Sequence, residues 1–196
     1  MRLLFDPGCS VKSYAEQGKN FDFPQLKRCL NPKCRNQNIH KHGFYERNCC
    51  SGLGWYRIFI RRYYCRECGL TVSFLPLFCL PYFQYSLTCF MSCLLARFSH
   101  GLSLKEIQRW LREQHPRLHW SVSQIHRYLQ RFLGNLPKIE LVLRNLNPRY
   151  SLGPPTPDKE KRAKKVLDII AGFPTIQSFS KLYADQCQSS FLAPVH

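Results

Sequence analysis

The chain has 196 residues, with 29 Lys and Arg against 12 Asp and Glu, for a formal net charge of +17. That length admits one ordinary domain or two small ones. The charge attracts polyanions, nucleic acid first and an anionic membrane surface second. No apolar run reaches the roughly eighteen residues of a membrane span. Asp6-Pro7-Gly8 ends the apolar start too early for a signal peptide.

Residues 1–28 form a lead-in, with a short helix predicted over 11–17, a turn at Gly18-Lys19-Asn20 and an extended Phe21 to Pro24. No chemistry of its own is expected there.

Residues 29–70 carry the strongest signal. Cys29 and Cys34 make a C-x4-C knuckle, and Cys65 and Cys68 make a C-x2-C knuckle. Four thiolates so paired can surround one Zn²⁺ tetrahedrally. Asn31-Pro32 supplies turn chemistry in the first knuckle. Gly69 supplies a permissive backbone after the second. Between the knuckles, 39–45 and 55–64 read as paired strands, the layout of a zinc ribbon. His40, His42, Cys49 and Cys50 also lie between the knuckles and stay open as replacement ligands, His42 foremost. Arg57, Arg61 and Arg62 alternate imperfectly with aromatic residues on the second strand, so no nucleic-acid face follows from the pattern. They are expected to contact phosphates.

Residues 71–85 are an apolar connector interrupted by Pro76 and Pro81. Residues 86–146 are expected to form a helix-turn-helix-like domain. Ser86 starts the first helix, which His100-Gly101 stops. Ser103 and Glu106 form a capping box for the second, and Ser121 and Gln124 for the third. Cys89 and Cys93 read as small core residues. Gly134 ends the third helix, and a fourth follows over 136–146. The third helix presents Gln124, Arg127, Gln130 and Arg131 outward, side chains able to read adenine and guanine edges in a major groove. A three-helix packing unit with a solvated polar face gives the same pattern. The connection from Gln114 to Trp120 is longer than the usual turn.

Residues 147–165 read as a Pro- and Lys-rich linker, and 166–196 as a weakly helical tail. Unpaired thiols with metal spacing point to a reducing cytoplasm.

The residues from Cys34 through Gly43-Phe44-Tyr45, and the run Arg61-Arg62-Tyr63-Tyr64-Cys65-Arg66-Glu67-Cys68-Gly69-Leu70-Thr71, resemble the zinc ribbon at the N-terminus of bacterial insertion-sequence transposases. With Leu75-Pro76, Leu80-Pro81-Tyr82 and the helices behind them, the chain is similar over about residues 21–133 to a group of transposon-associated zinc-ribbon proteins. The first knuckle departs from the common C-x2-C form. The resemblance implies zinc and binding to double-stranded DNA at transposon ends.

Transposase catalysis needs three carboxylates holding two metal ions. Past residue 134 only Glu140, Asp158, Glu160, Asp168 and Asp185 remain, on a proline-broken segment expected to build no core. The expectation is therefore an α+β, zinc-binding, DNA-binding protein that is not an enzyme. No membrane or small-molecule partner is expected, whereas a homodimer or a transposase partner stays open. Two other readings remain: a transposase fragment whose catalytic half is on another chain, and a zinc-dependent RNA-binding or scaffold protein.

Overall fold

The computed structural model describes residues 1–148, 150, 152 and 157–193, and shows an α+β architecture. Four strands form one sheet in the order β1-β4-β3-β2. β2 (His40–Cys50) and β3 (Trp55–Tyr64) are an antiparallel hairpin. β4 (Thr71–Pro76) runs antiparallel to β3, and β1 (Arg2–Phe5) adds to β4 in parallel. The expected connector is thus partly a central strand. Pro76 is tolerated because it is the last residue of that strand.

The lead-in builds the core of the sheet layer. Ser10 caps α1 (Val11–Gln17), its hydroxyl accepting from the Ser13 N–H. Tyr14 on that helix is fully buried and donates its hydroxyl hydrogen to the Phe59 carbonyl at 2.8 Å. Its ring meets Phe5, Phe21, Phe23 and Phe78. Ile58 and Ile60 point into the same cluster from β3.

A second core gathers the remaining helices. These are α2 (Leu87–Phe98), α3 (Leu104–Gln114), α4 (Val122–Leu146), α5 (Lys159–Ala171) and α6 (Ile176–Cys187). Both predicted capping boxes are present, at Ser103 with Glu106 and at Ser121 with Gln124. Ser86 takes the extended N-cap conformation but makes no side-chain cap; its hydroxyl lies 3.4 Å from the Cys89 sulfur. Cys89 and Cys93 are core residues.

Two expectations about the C-terminal third are corrected. The third and fourth predicted helices are one, α4, which continues through Gly134 and carries Pro137 inside it. An interior proline costs a helix about 3 kcal/mol. Burial of Leu136, Ile139, Val142 and Leu143 beyond it offsets that cost. The segment after residue 146 is helical as expected, but it does contribute to a core. Ala163, Val166, Leu167, Ile170, Phe179, Tyr183, Phe191 and Leu192 all enter the helical core. Asp158, directly after Pro157, caps α5, so the helix starts inside the expected linker. Residues 149, 151 and 153–156 of that linker lie outside the described residues.

The sheet and the helical layer are joined at the tip of the β2–β3 hairpin. The Arg117 N–H donates to the Gly52 carbonyl at 3.0 Å, and Cys50 approaches the Arg117 carbonyl. Gly52 has φ +92°, and a Cβ there would lie 2.4 Å from His115 Nδ1. Only glycine satisfies both the backbone angle and the close approach. The long α3–α4 connection supplies this joint, and buries Leu118 and Trp120 as it does so.

Candidate metal centre

The four cysteines of the two knuckles converge. Cys29, Cys34, Cys65 and Cys68 place their sulfurs within 4.8 Å of one another. Cys29 and Cys68 are 3.5 Å apart, and Cys34 and Cys65 are 3.7 Å apart. A disulfide would need about 2.05 Å. Four sulfurs at about 2.3 Å from a central zinc would be separated by about 3.8 Å. The cluster fits a tetrahedral ion, and all four thiols are free.

Local hydrogen bonds shape each knuckle. In the first, the Cys34 N–H bonds the Asn31 carbonyl, and the Lys33 N–H bonds the Asn31 side chain. The Cys29 N–H bonds the Asn36 carbonyl and fixes the base of the loop. In the second, the Cys65 N–H bonds the Leu70 carbonyl and the Gly69 N–H bonds the Cys65 carbonyl. Gly69 sits at φ +71°, the left-handed region that a Cβ disfavours. Cys65 follows directly on β3, so the sheet anchors the second knuckle.

Donors aimed at the sulfurs favour thiolates. The Asn31 N–H lies 3.4 Å from Cys29 Sγ, and the Asn36 side-chain amide lies 3.4 Å from Cys65 Sγ. Burial pushes the Cys65 thiol up, while the Cys68 N–H, the Asn36 amide and two facing thiols bring it down to about 6. The Asn31 N–H lowers Cys29, but burial and the other three thiols push it up to about 12. Thiolates packed this closely repel, and a divalent cation would relieve that repulsion. The spacing of the cysteines pointed to all four ligands. It did not point to Asn36, whose sole signal is its place two residues after Cys34.

The other candidates between the knuckles lie elsewhere. His42 packs on the Tyr64 ring, 5.3 Å between centroids. Cys49 is buried 4.0 Å from Cys79, and Cys50 is buried at the helical joint. Among the described residues no other group of three or more His, Cys, Asp or Glu could hold a metal.

The seven expected nucleic-acid contacts have different local surroundings. Arg57 is exposed and pairs with Glu46 at 3.5 Å. Arg61 is half-buried over the Phe44 ring at 4.6 Å. On α4, Arg127 and Gln130 are exposed. Gln124 spends its side-chain oxygen on the Ser121 N–H, at 2.9 Å, as part of the capping box. Arg131 stacks over Phe83 at 5.3 Å. Arg62 and Arg131 instead face one cleft between the sheet and the helices. Beside the start of α4, Lys105, Arg109 and Arg112 of α3 line a shallow basic depression.

The carboxylates past residue 134 also disperse. Glu140 pairs with Arg162, Asp158 caps α5, Glu160 bonds Arg97, and Asp185 bonds Lys181. Asp168 is exposed. No helix among the described residues is long and apolar enough to cross a membrane.

No family model matches the chain, and neither a curated protein nor a solved structure matches it.

Proposed function

We propose that this chain is a zinc-binding protein that binds double-stranded DNA, without catalysis of its own. The observation that carries the zinc reading is the cluster of four free cysteines, two on each knuckle, at tetrahedral spacing. An all-sulfur donor set suits zinc, and a closed set of four leaves no open position for a substrate. The metal is structural: it ties the loop at 29–38 to the end of β3.

The DNA reading is supported by the +17 charge and by the exposed cations of α3 and α4. Arg127 and Gln130 are the base-reading residues on α4, with Lys105, Arg109 and Arg112 on phosphates beside them. Gln124 holds the helix start rather than a base. Arg57 and Arg61 are further phosphate contacts from the sheet. A role at transposon ends, in a reducing cytoplasm, accords with the resemblance of the ribbon and with the free thiols.

The test is selection from a random duplex pool, followed by titration of the selected site. Six neutralised phosphates would give a slope of log K against log salt near about −5. Arg127→Ala relaxes preference at one position of that site, by about 1–3 kcal/mol. Arg61→Ala weakens all sequences alike. A flat salt dependence would exclude the reading, as would an Arg127→Ala variant with the parent's affinity and preference.

A further inference from the structure

A cleft of about 1260 Å³ lies between one face of the sheet, lined by Arg2, Ser73, Arg62 and Tyr45 from its four strands, and helices α4 and α6. Its walls carry Arg2 from β1, Arg62 from β3, and Arg131 and Lys138 from α4. Among its described lining residues there is no Asp or Glu. The cations come from distant parts of the sequence and face one space.

Tyr82 stands at its rim. The residue is 85% exposed and has φ +68°, a conformation that a non-glycine residue adopts at a cost. An aromatic ring held in water on a strained backbone contributes nothing to a core. Such residues cluster at ligand sites. The Arg2 guanidinium lies 4.4 Å from the ring centroid and covers one face of the ring. Arg131 is likewise braced by the Phe83 ring. The cleft therefore offers pre-positioned cations along its walls and a flat ring at its mouth.

We propose that this cleft binds an unpaired nucleic-acid strand. A row of cations follows a phosphate backbone, and an exposed tyrosine stacks on a base of any identity. A duplex keeps its bases stacked on one another, whereas an unpaired strand leaves a base face for Tyr82. The inference rests on the nucleic-acid reading above but uses residues other than Arg127 and Gln130. It gives the chain two sites, one for duplex and one for single strand.

The experiment measures anisotropy of labelled twelve-residue oligo-dT, oligo-rU and polyglutamate, with the selected duplex measured in parallel. Zinc-loaded parent is compared with Tyr82→Ala and Lys138→Glu. Both residues are exposed, so the fold is retained, and neither is assigned to duplex binding; the duplex arm separates a general loss of charge attraction from a loss specific to the unpaired strand. Each variant is expected to weaken oligo-dT or oligo-rU about tenfold. The dT and rU arms show whether DNA or RNA is preferred. Unchanged single-strand affinity in both variants overturns the proposal, as does no single-strand binding by the parent. Polyglutamate bound as tightly, and equally sensitive to Tyr82→Ala, also overturns it in favour of an acidic peptide. Loss of duplex binding by the parent alone would sink the duplex reading and leave the cleft standing.

Discussion

The most consequential residues are the four cysteines, and their chemistry was legible because ligand pairs on tight turns are fixed by short spacing. Cys65 joins the four-cysteine cluster to β3 and is nearly fully buried. Cys65→Ser should drop bound zinc after dialysis from about one equivalent to near none, because serine is a poor zinc ligand. Elemental analysis of the purified variant checks this. Chelation of the parent should also lower its melting temperature, since metal binding is coupled to folding. A variant that keeps full zinc would mean that another residue, such as His42, completes the site. What spacing could not show was the support around the sulfurs. Asn36 donates to Cys65 Sγ only because the first knuckle folds back across the second. No local pattern encodes such a contact.

At the scale of elements, capped helices were legible and long-range strands were not. Ser103 with Glu106 and Ser121 with Gln124 are local signals, and both boxes formed where the pattern put them. β1 has four residues and no alternation, and it exists only because β4 pairs with it from across seventy residues. The sequence pattern ends a helix at Gly134, because glycine usually stops one, yet α4 runs on through it. Here tertiary packing overrides that local preference. Asn135 adds to it by donating to the Arg131 and Ala193 carbonyls from a buried position.

The joint between elements has its own pH dependence. His115 caps the end of α3, bonds Ser92 through Nε2 at 2.9 Å and has a buried Nδ1 with no hydrogen-bond partner. Burial lowers its pKa below the usual 6.5. The unfolded chain therefore binds a proton more readily, and stability falls as pH drops from about 6.5 through the folded value. His115→Phe cannot titrate. Its melting temperature should decline less than the parent's between about pH 7.5 and pH 5. Equal losses in both proteins would place the acid sensitivity elsewhere.

On the scale of the whole molecule, two cores meet in part through the β2–β3 hairpin, and the C-terminal helices complete the second core. The sequence of this region shows weak periodicity. Its apolar residues are spread over two short helices that have no buried face until both meet α2 and α4. The pair that fixes this meeting is Glu140 on α4 with Arg162 on α5. Arg162 Nε and Nη2 donate to the two Glu140 oxygens at 2.8 and 2.7 Å. Their side chains are 10% and 19% exposed, for Glu140 and Arg162 respectively. A carboxylate so engaged is a structural partner. Removing it strands a largely desolvated guanidinium. For a fully buried pair that costs about 3–5 kcal/mol, and the residual exposure here brings it to about 2–3. Glu140→Ala should therefore lower the unfolding free energy read from chemical denaturation by that amount, and with it the midpoint, without changing zinc content. Glu140→Met combined with Arg162→Leu should recover most of the loss, because two apolar side chains leave no charge unpaired. If Glu140→Ala unfolds at the parent's midpoint, α5 is not coupled to the helical core. If the double variant stays as unstable as the single one, the charge pair supplies more than satisfied burial.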